Sequence, residues 1–533
     1  MGLRKKGTIL LLIALSILNQ AVTSQELNEN TFKIGRTFSL IDAYYVDSTD
    51  INKLTEKAIV EILKSLDPHS VYISAKDVKE MNEPLNGNFE GIGVQFNLLR
   101  DTIIVIEPIP GGPSEKVGIH AGDRIITIDG EKVTGIGIST TGVRKRLMGM
   151  KGTKVNLNVF RKGESRVLDF TIIRDKIPIN SLDAAYMLNK ETGYLKLNKF
   201  AATTNKEFSD ALDSLQKNGL KNIIIDLRGN GGGFMVAATD IADKFFSDKK
   251  LLVFLNGRKT PKQEYASTGS GVLSTARLAI LTDEGSASAS EILAGAVQDW
   301  DRGIIVGRRT FGKGLVQNGF YLPDGSMIRL TIARYYTPTG RLIQSPYNEG
   351  YDKYLQNFNR RYTDGELMTA DSIHFPDSLK YRTLLNKRIV YGGGGIMPDL
   401  FVPADTSTYT DYYRSVLRKG VLNSFSLEYS DKNRKFLTSQ YRLFDDYKNK
   451  FNFSQDDIAA FIKKADESGI KYDDSQFKIS RDDIFKVLKG LIAANIWQTN
   501  EYFRIVNEND IVIENALKII SDKTAYNKIL GFK

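Results

Sequence analysis

Three short apolar runs constrain this chain more than anything else in it. They are Ile223-Ile224-Ile225-Asp226-Leu227, Leu278-Ala279-Ile280-Leu281 and Gly303-Ile304-Ile305-Val306-Gly307. None alternates apolar with polar residues, so each reads as a strand covered on both faces, as in a buried parallel sheet. Helical patterns follow the first two, from about Phe234 to Phe246 and from about Ser288 to Trp300. That rhythm predicts βαβ units and an α/β core over residues 179 to about 404. Within it, the polar, tyrosine-rich stretch from about 345 to 388 reads as an insertion or surface excursion.

The flanking segments differ in character. Residues 25 to 84 read as helical, with Leu54, Ala58, Ile59, Ile62, Leu63 and Leu66 at helical spacing and a stop at Pro68. Residues 85 to 178 carry short β-rich runs separated by turns, with one helix expected over Thr140 to Leu147. Residues 405 to 533 read as a separate helical region without evident chemistry. Met1 to Ser24 has the layout of an export signal: Arg4, Lys5 and Lys6, an apolar run from Ile9 to Leu18, then small residues near Val22 and Ser24. The expectation is an exported, periplasmic protein, attached to a membrane only if that segment stays uncleaved.

Composition narrows the chemistry. The chain has no cysteine, which excludes disulfides, thiolate metal sites and a cysteine nucleophile. Its three histidines, His69, His120 and His374, are scattered, so neither a zinc motif nor an evident Ser-His-Asp triad is present, and no metal or cofactor is expected. A net charge of +10 over 533 residues reads as general solvation, not as a nucleic-acid surface.

Sites in open α/β sheets gather at the C-terminal ends of the strands, and three unusual segments follow the three runs. Asp226-Leu227-Arg228-Gly229-Asn230-Gly231-Gly232-Gly233 is a glycine-rich turn whose N–H groups could hold phosphate or stabilise an oxyanion. Gly285-Ser286-Ala287-Ser288-Ala289-Ser290-Glu291 opens a helix, and Ser288 with Glu291 forms a capping-box pattern, a structural role. It also offers three candidate nucleophiles, Ser286, Ser288 and Ser290. Gly307-Arg308-Arg309-Thr310-Phe311-Gly312-Lys313-Gly314 imitates a phosphate-binding loop and fails where Gly314 replaces the hydroxyl residue. None of the histidines lies in these segments, and a lysine made neutral by burial is the other known base for a serine; Lys313, between two glycines with Phe311 and Leu315 nearby, suits a buried loop, whereas an isolated lysine reads as a solvated surface residue.

These residues resemble the carboxy-terminal processing peptidases, or tail-specific proteases. The run Gly285 to Leu293 is similar to their nucleophile segment, and Thr310 to Gln317 to their lysine segment. Ser288 and Lys313 stand 25 residues apart and Gln317 four further on, as in the family. Asp226 to Gly233, Leu66-Asp67-Pro68-His69-Ser70 and Gly395-Ile396-Met397-Pro398-Asp399 are also family-like. The resemblance implies an α/β protease core of crotonase/ClpP-like βαβ units, with an inserted β-rich PDZ domain between N- and C-terminal helical regions. It implies Ser288 as nucleophile, Lys313 as general base and Gln317 as the group that hydrogen-bonds and orients it. The oxyanion hole would use the N–H of Ala289 with that of Gly231 or Gly232. Gly91-Ile92-Gly93-Val94 is similar to a PDZ carboxylate-binding loop. Implied partners are protein or peptide substrates with free C-terminal tails, with room for an activating partner or a homo-oligomer. Two other readings stay open: a catalytically inactive PDZ scaffold on a protease fold, and a hydrolase of small esters or amides.

Overall fold

The computed structural model describes residues 29–99 and 101–532. The export signal expected at Met1–Ser24 lies outside the described residues. The core is a six-stranded sheet in the order Leu182–Met187, Thr192–Leu197, Asn222–Asp226, Arg277–Thr282, Ile304–Gly307, Leu400–Phe401. The first pair is antiparallel and every later neighbour is parallel. Pairing sets Ile225 beside Ile280 and Ile280 beside Ile305. The three apolar runs are therefore adjacent central strands.

Side chains alternate between the faces of a strand, and the two faces have different covers. Ile223, Ile225, Leu278, Ile280 and Ile305 pack against Phe208, Leu212, Ile241, Leu293 and Val297. Those residues lie on helices Thr204–Lys217, Met235–Asp243 and Ala289–Asp299. Ile224, Ala279, Leu281, Ile304 and Val306 pack instead against Val512, Ile513, Ala516, Ile520, Tyr526 and Leu530. These belong to helices Ile511–Ser521 and Lys523–Leu530 at the end of the chain. The C-terminal region is thus not wholly separate. Its last two helices form the second layer of the core, because a parallel sheet this apolar needs cover on both faces.

A second, antiparallel sheet carries strands Leu315–Tyr321, Met327–Tyr336, Leu251–Asn256 and Gln263–Ala266. Its remaining strand, Val71–Ile73, comes from the N-terminal segment, which is otherwise helical over 29–44, Ile51–Lys64 and Ala75–Asn86. A two-stranded ribbon, Asn88–Gly91 with Asp175–Pro178, leads into the β-rich module. There Val94–Leu99, Thr102–Pro108, Arg124–Ile128, Lys154–Phe160 and Leu168–Ile173 form a sheet in that order, capped by helix Thr140–Leu147. The stretch expected to be irregular contains helix Tyr351–Thr363, which seats Tyr354 and Arg361 in the interior. Arg361 pairs there with Glu366 at 2.7 Å, and Glu366 also accepts Arg309. The excursion is therefore packed against the lysine segment.

Helices between residues 411 and 496 form a bundle with its own aromatic core, including Tyr412, Phe425, Phe461 and Phe477. It docks on the β-rich module through Arg124 and Asp431, 2.9 Å apart.

Candidate active site

The cleft lies where the ends of the central strands meet the second sheet. It encloses about 500 Å3 and is lined by Gly231, Gly232, Gly233, Ser288, Lys313, Gln317, Arg329 and Tyr335, with Asn82 and Leu85 from the N-terminal segment. The residues singled out in three distant segments of sequence are therefore neighbours.

The three serines separate by environment. Ser286 is fully buried and its hydroxyl donates to the Leu227 carbonyl at 2.8 Å. Ser290 is fully buried and donates to the Asn230 carbonyl at 2.9 Å. Only Ser288 of the three lines the cleft. It caps helix Ala289–Asp299 with φ +56° and ψ −113°. A side chain rarely adopts positive φ, and such conformations persist only where the surroundings enforce them. Here Glu291 accepts the Ser288 N–H at 2.8 Å, and Tyr335 donates its hydroxyl to the Ser288 carbonyl at 3.1 Å.

Glu291 does far more than cap. Its Oε2 also accepts the Lys313 N–H at 2.9 Å, while Oε1 accepts Gly312 N–H at 2.8 Å and the Thr310 hydroxyl at 2.5 Å. One buried carboxylate thus binds the backbones of Ser288 and Lys313. Burial pushes its pKa up to about 7, and these four donors pull the other way. The phosphate-loop spacing of Gly307–Gly314 finds its explanation here: its N–H groups surround an anion, the protein's own glutamate. Gly314 N–H is taken too, by Gln344 Oε1 at 2.8 Å.

Lys313 is held below its usual range, first by burial and then by the like charge of Arg329, against Glu291 and Asp67. No hydrogen bond to its ammonium is formed among the described residues. In particular, Gln317 does not orient it directly. The Gln317 Nε2 donates instead to Thr331 Oγ1 at 3.3 Å, its partner across the strand pair. Thr331 in turn donates to Asp67 at 3.1 Å. The same Asp67 accepts the N–H groups of His69 and Ser70, so the Asp-Pro-His-Ser turn anchors this side of the cleft. His69 lies within 3.1 Å of the Tyr354 hydroxyl, and burial with the nearby Lys313 charge pushes its pKa down to about 4. Its ring also meets that of Tyr354 edge-on.

The glycine turn discriminates between its own amides. Gly232 N–H is committed to Asn230 Oδ1 at 2.9 Å. Gly231 N–H has no hydrogen-bond partner among the described residues, nor has Ala289 N–H at the helix start. Gly232 has φ +99°, and a Cβ there would stand 2.7 Å from the Ala287 carbonyl and 2.8 Å from Ser288 Cβ. Asn230 ties turn and nucleophile segment together, accepting Ala287 N–H at 3.0 Å through its carbonyl and donating to Leu197 at 3.0 Å. Beneath the turn, Asp226 is buried at a cost that Arg228 and Lys196 more than offset, holding its carboxyl below the usual range. Arg228 also pairs with Asp510 at 2.9 Å, the cap of the helix that covers the far face.

The Gly91–Val94 loop lies away from this cleft, at the start of the edge strand Val94–Leu99. The Ile92 carbonyl accepts both the N–H and the hydroxyl of Ser114, at 3.0 and 2.7 Å. The N–H groups of Ile92 and Gly93 have no partner among the described residues.

Comparison with known proteins places the chain in a family. Family models match Peptidase family S41 over residues 191–349, a PDZ domain over 91–172 and the N-terminal domain of activating protease CtpB over 14–77. Residues 412–498 match a family of unknown function. The chain is 35% identical over 345 residues to the carboxy-terminal-processing protease of Bartonella bacilliformis, covering 63% of this chain and 78% of that protein. The chain belongs to the carboxy-terminal processing proteases of peptidase family S41. It is likewise 35% identical over 314 residues to carboxy-terminal processing protease CtpB of Bacillus subtilis, covering 58% of this chain and 65% of that relative, just under two thirds. A solved structure, the photosystem II D1 C-terminal processing protease, is 31% identical over 57% of this chain and 88% of its own, with a TM-score of 0.32. This member of the family carries its PDZ domain between N-terminal helices and the α/β core, and a helical region after it.

Proposed function

We propose that this protein is an exported, periplasmic serine endopeptidase that binds protein C-terminal tails through its PDZ domain and cuts with a Ser288–Lys313 dyad. The observation that carries the proposal is the shared carboxylate. Glu291 holds the backbones of Ser288 and Lys313, while the other two serines are buried and engaged.

In this mechanism neutral Lys313 takes the proton of the Ser288 hydroxyl as Oγ attacks the scissile carbonyl carbon. The carbonyl π pair moves to oxygen, and the N–H groups of Ala289 and Gly231 receive the oxyanion. Gly232 is the poorer candidate, since its N–H already serves Asn230. Collapse of the intermediate breaks the C–N bond, and the Lys313 ammonium protonates the leaving amine. Water then attacks the acyl-serine with Lys313 again as base, releasing the new carboxylate. Burial supports the base role, because losing water disfavours the ammonium. Gln317 supports the cleft wall through Thr331 and reaches Lys313 only through that wall. Tail capture would use the Ile92 and Gly93 amides for the carboxylate, with the tail added as a strand along Val94–Leu99.

The test is cleavage of an unstructured protein with an apolar tail by the mature chain, Ser288→Ala and Lys313→Ala, with free and amidated C-termini. Loss of cleavage in both variants and slower cleavage of amidated tails are expected. An inert chain that still binds free tails would favour the inactive PDZ scaffold.

A further inference from the structure

Two cationic side chains line the cleft, and the proposed mechanism uses one. Lys313 and Arg329 are the only charged residues on its walls among the described residues. Arg329 stands on strand Met327–Tyr336, opposite Gly319 on one neighbour and Val71 on the other, so neither cross-strand partner carries charge. It is half-buried, and among the described residues its guanidinium hydrogen-bonds one side chain, Asn82 Oδ1 at 3.5 Å. No carboxylate lies within ion-pair distance of it among the described residues. Other buried or part-buried arginines of this protein are engaged more fully: Arg228 with Asp226 and Asp510, Arg309 and Arg361 with Glu366 and Arg341 with Asp299, while Arg174 and Arg302 each donate to three backbone carbonyls. A half-buried guanidinium with one long bond to an amide oxygen has donors to spare, and its planar fork fits a carboxylate. Around it the cleft mixes apolar walls, Leu85, Phe234, Met235 and Leu315, with the uncharged polar side chains of Asn82, Gln317 and Asn318.

Building on the proposed peptidase reading, we propose that Arg329 is a substrate-binding, specificity-determining residue that takes a carboxylate of the bound peptide, an Asp or Glu side chain flanking the scissile bond. The cleft would thus select an acidic residue at one position of the bound peptide. A coupling follows. Lys313 is faced by Arg329, Glu291, Asp67 and His69, and of these Arg329 is the opposing like charge. A substrate carboxylate on Arg329 cancels that repulsion and favours the Lys313 ammonium. Acidic substrates therefore bind more tightly, while their kcat reaches its plateau at higher pH.

The experiment scans Asp/Asn pairs through the four positions on either side of the cut in one apolar-tailed peptide. One position should favour Asp by about tenfold in kcat/KM, the worth of a charge-assisted hydrogen bond near solvent. The gain should sit in KM, shrink with added salt and come with an upward shift in the acid limb of kcat. Arg329→Gln should erase the preference, and Arg329→Lys should keep part of it. The same pairs are measured by fluorescence anisotropy on Ser288→Ala and on Ser288→Ala/Arg329→Gln, so binding is read without turnover. Equal handling of Asp and Asn at every position, or a preference that survives Arg329→Gln, overturns the proposal. If nothing is cut but Asp peptides bind Ser288→Ala more tightly through Arg329, the peptidase reading fails and the carboxylate site stands.

Discussion

The turns after Asp226 and after Gly307 are built alike and use their backbones in opposite ways. Both leave central parallel strands, and both are rich in glycine. The first leaves Gly231 N–H open beside the cleft, while Asp283 takes Gly229 N–H and the Asn230 side chain takes Gly232 N–H. The second turns its amides inward, onto Glu291 and Gln344. An open turn can receive charge that develops on a substrate. A turn closed on a resident anion cannot, but it fixes the lysine it carries. A glycine-rich sequence shows only that amides can approach something. What they approach is set by a side chain elsewhere.

Emptying the closed turn should have the largest effect. Glu291→Ala strands the N–H groups of Ser288, Gly312 and Lys313 and the Thr310 hydroxyl in a buried site. With buried unsatisfied groups costing about 1–3 kcal/mol each, a stability loss on the order of 4 kcal/mol is expected in urea denaturation. The milder Glu291→Gln should stay folded and lose about a hundredfold in kcat, because displacing aligned groups by an ångström costs that much. Unchanged kcat in a folded Glu291→Gln would break the contrast between the turns.

The open turn gives the next effect. Gly232→Ala places a Cβ 2.7 Å from the Ala287 carbonyl at φ +99° and should cost about 2–3 kcal/mol by thermal unfolding. Gly231→Ala meets open space and keeps its N–H. It should fold normally, with a rise in KM of up to about tenfold and a smaller change in kcat.

Acid–base behaviour sharpens the comparison further. Glu291 holds its proton up to about pH 7 in the fold, against an ordinary carboxyl value of 4.5. Between those values the folded state binds a proton that the unfolded chain has released. Stability should therefore fall as pH rises through that window and level off above it. Activity should rise over the same range, because the ionised carboxylate aligns the dyad, and continue rising as Lys313 loses its proton. The stability slope should disappear in Glu291→Gln, measured by urea titration across pH. The smallest effect belongs to the cleft wall: Gln317→Leu and Thr331→Val should each lower kcat by about threefold, and the double variant by no more than their product.

Much of this was readable from local signals. Helix Thr140–Leu147 falls where the sequence places it, opened by the Ser139 side chain, which accepts Gly142 N–H. The central strands are legible because full burial leaves a continuous apolar run. What was not legible depends on distant partners. Strand Val71–Ile73 has three residues, too few for a period, and exists because Met327–Arg329 lies beside it. The helices from Ile511 onward look like any amphipathic pair, and nothing local says that they cover Ile224 and Leu281. Glu291 satisfied a capping pattern, which hid the partners 19 to 22 residues downstream. The bond expected from Gln317 to Lys313 fails because the cross-strand register gives Gln317 to Thr331.

In the proposed dyad a neutral Lys313 activates Ser288 and neither neighbouring serine. This is tested most directly by the rate at which a fluorophosphonate acylates the chain across pH, with the labelled residue located by peptide mass spectrometry. One adduct is expected, on Ser288, at a rate that rises as Glu291 ionises near pH 7, rises again with a Lys313 deprotonation below the ordinary lysine value of 10.5, and vanishes in folded Lys313→Met. Labelling of Ser286 or Ser290, or a rate on Ser288 that is indifferent to Lys313→Met, would contradict it.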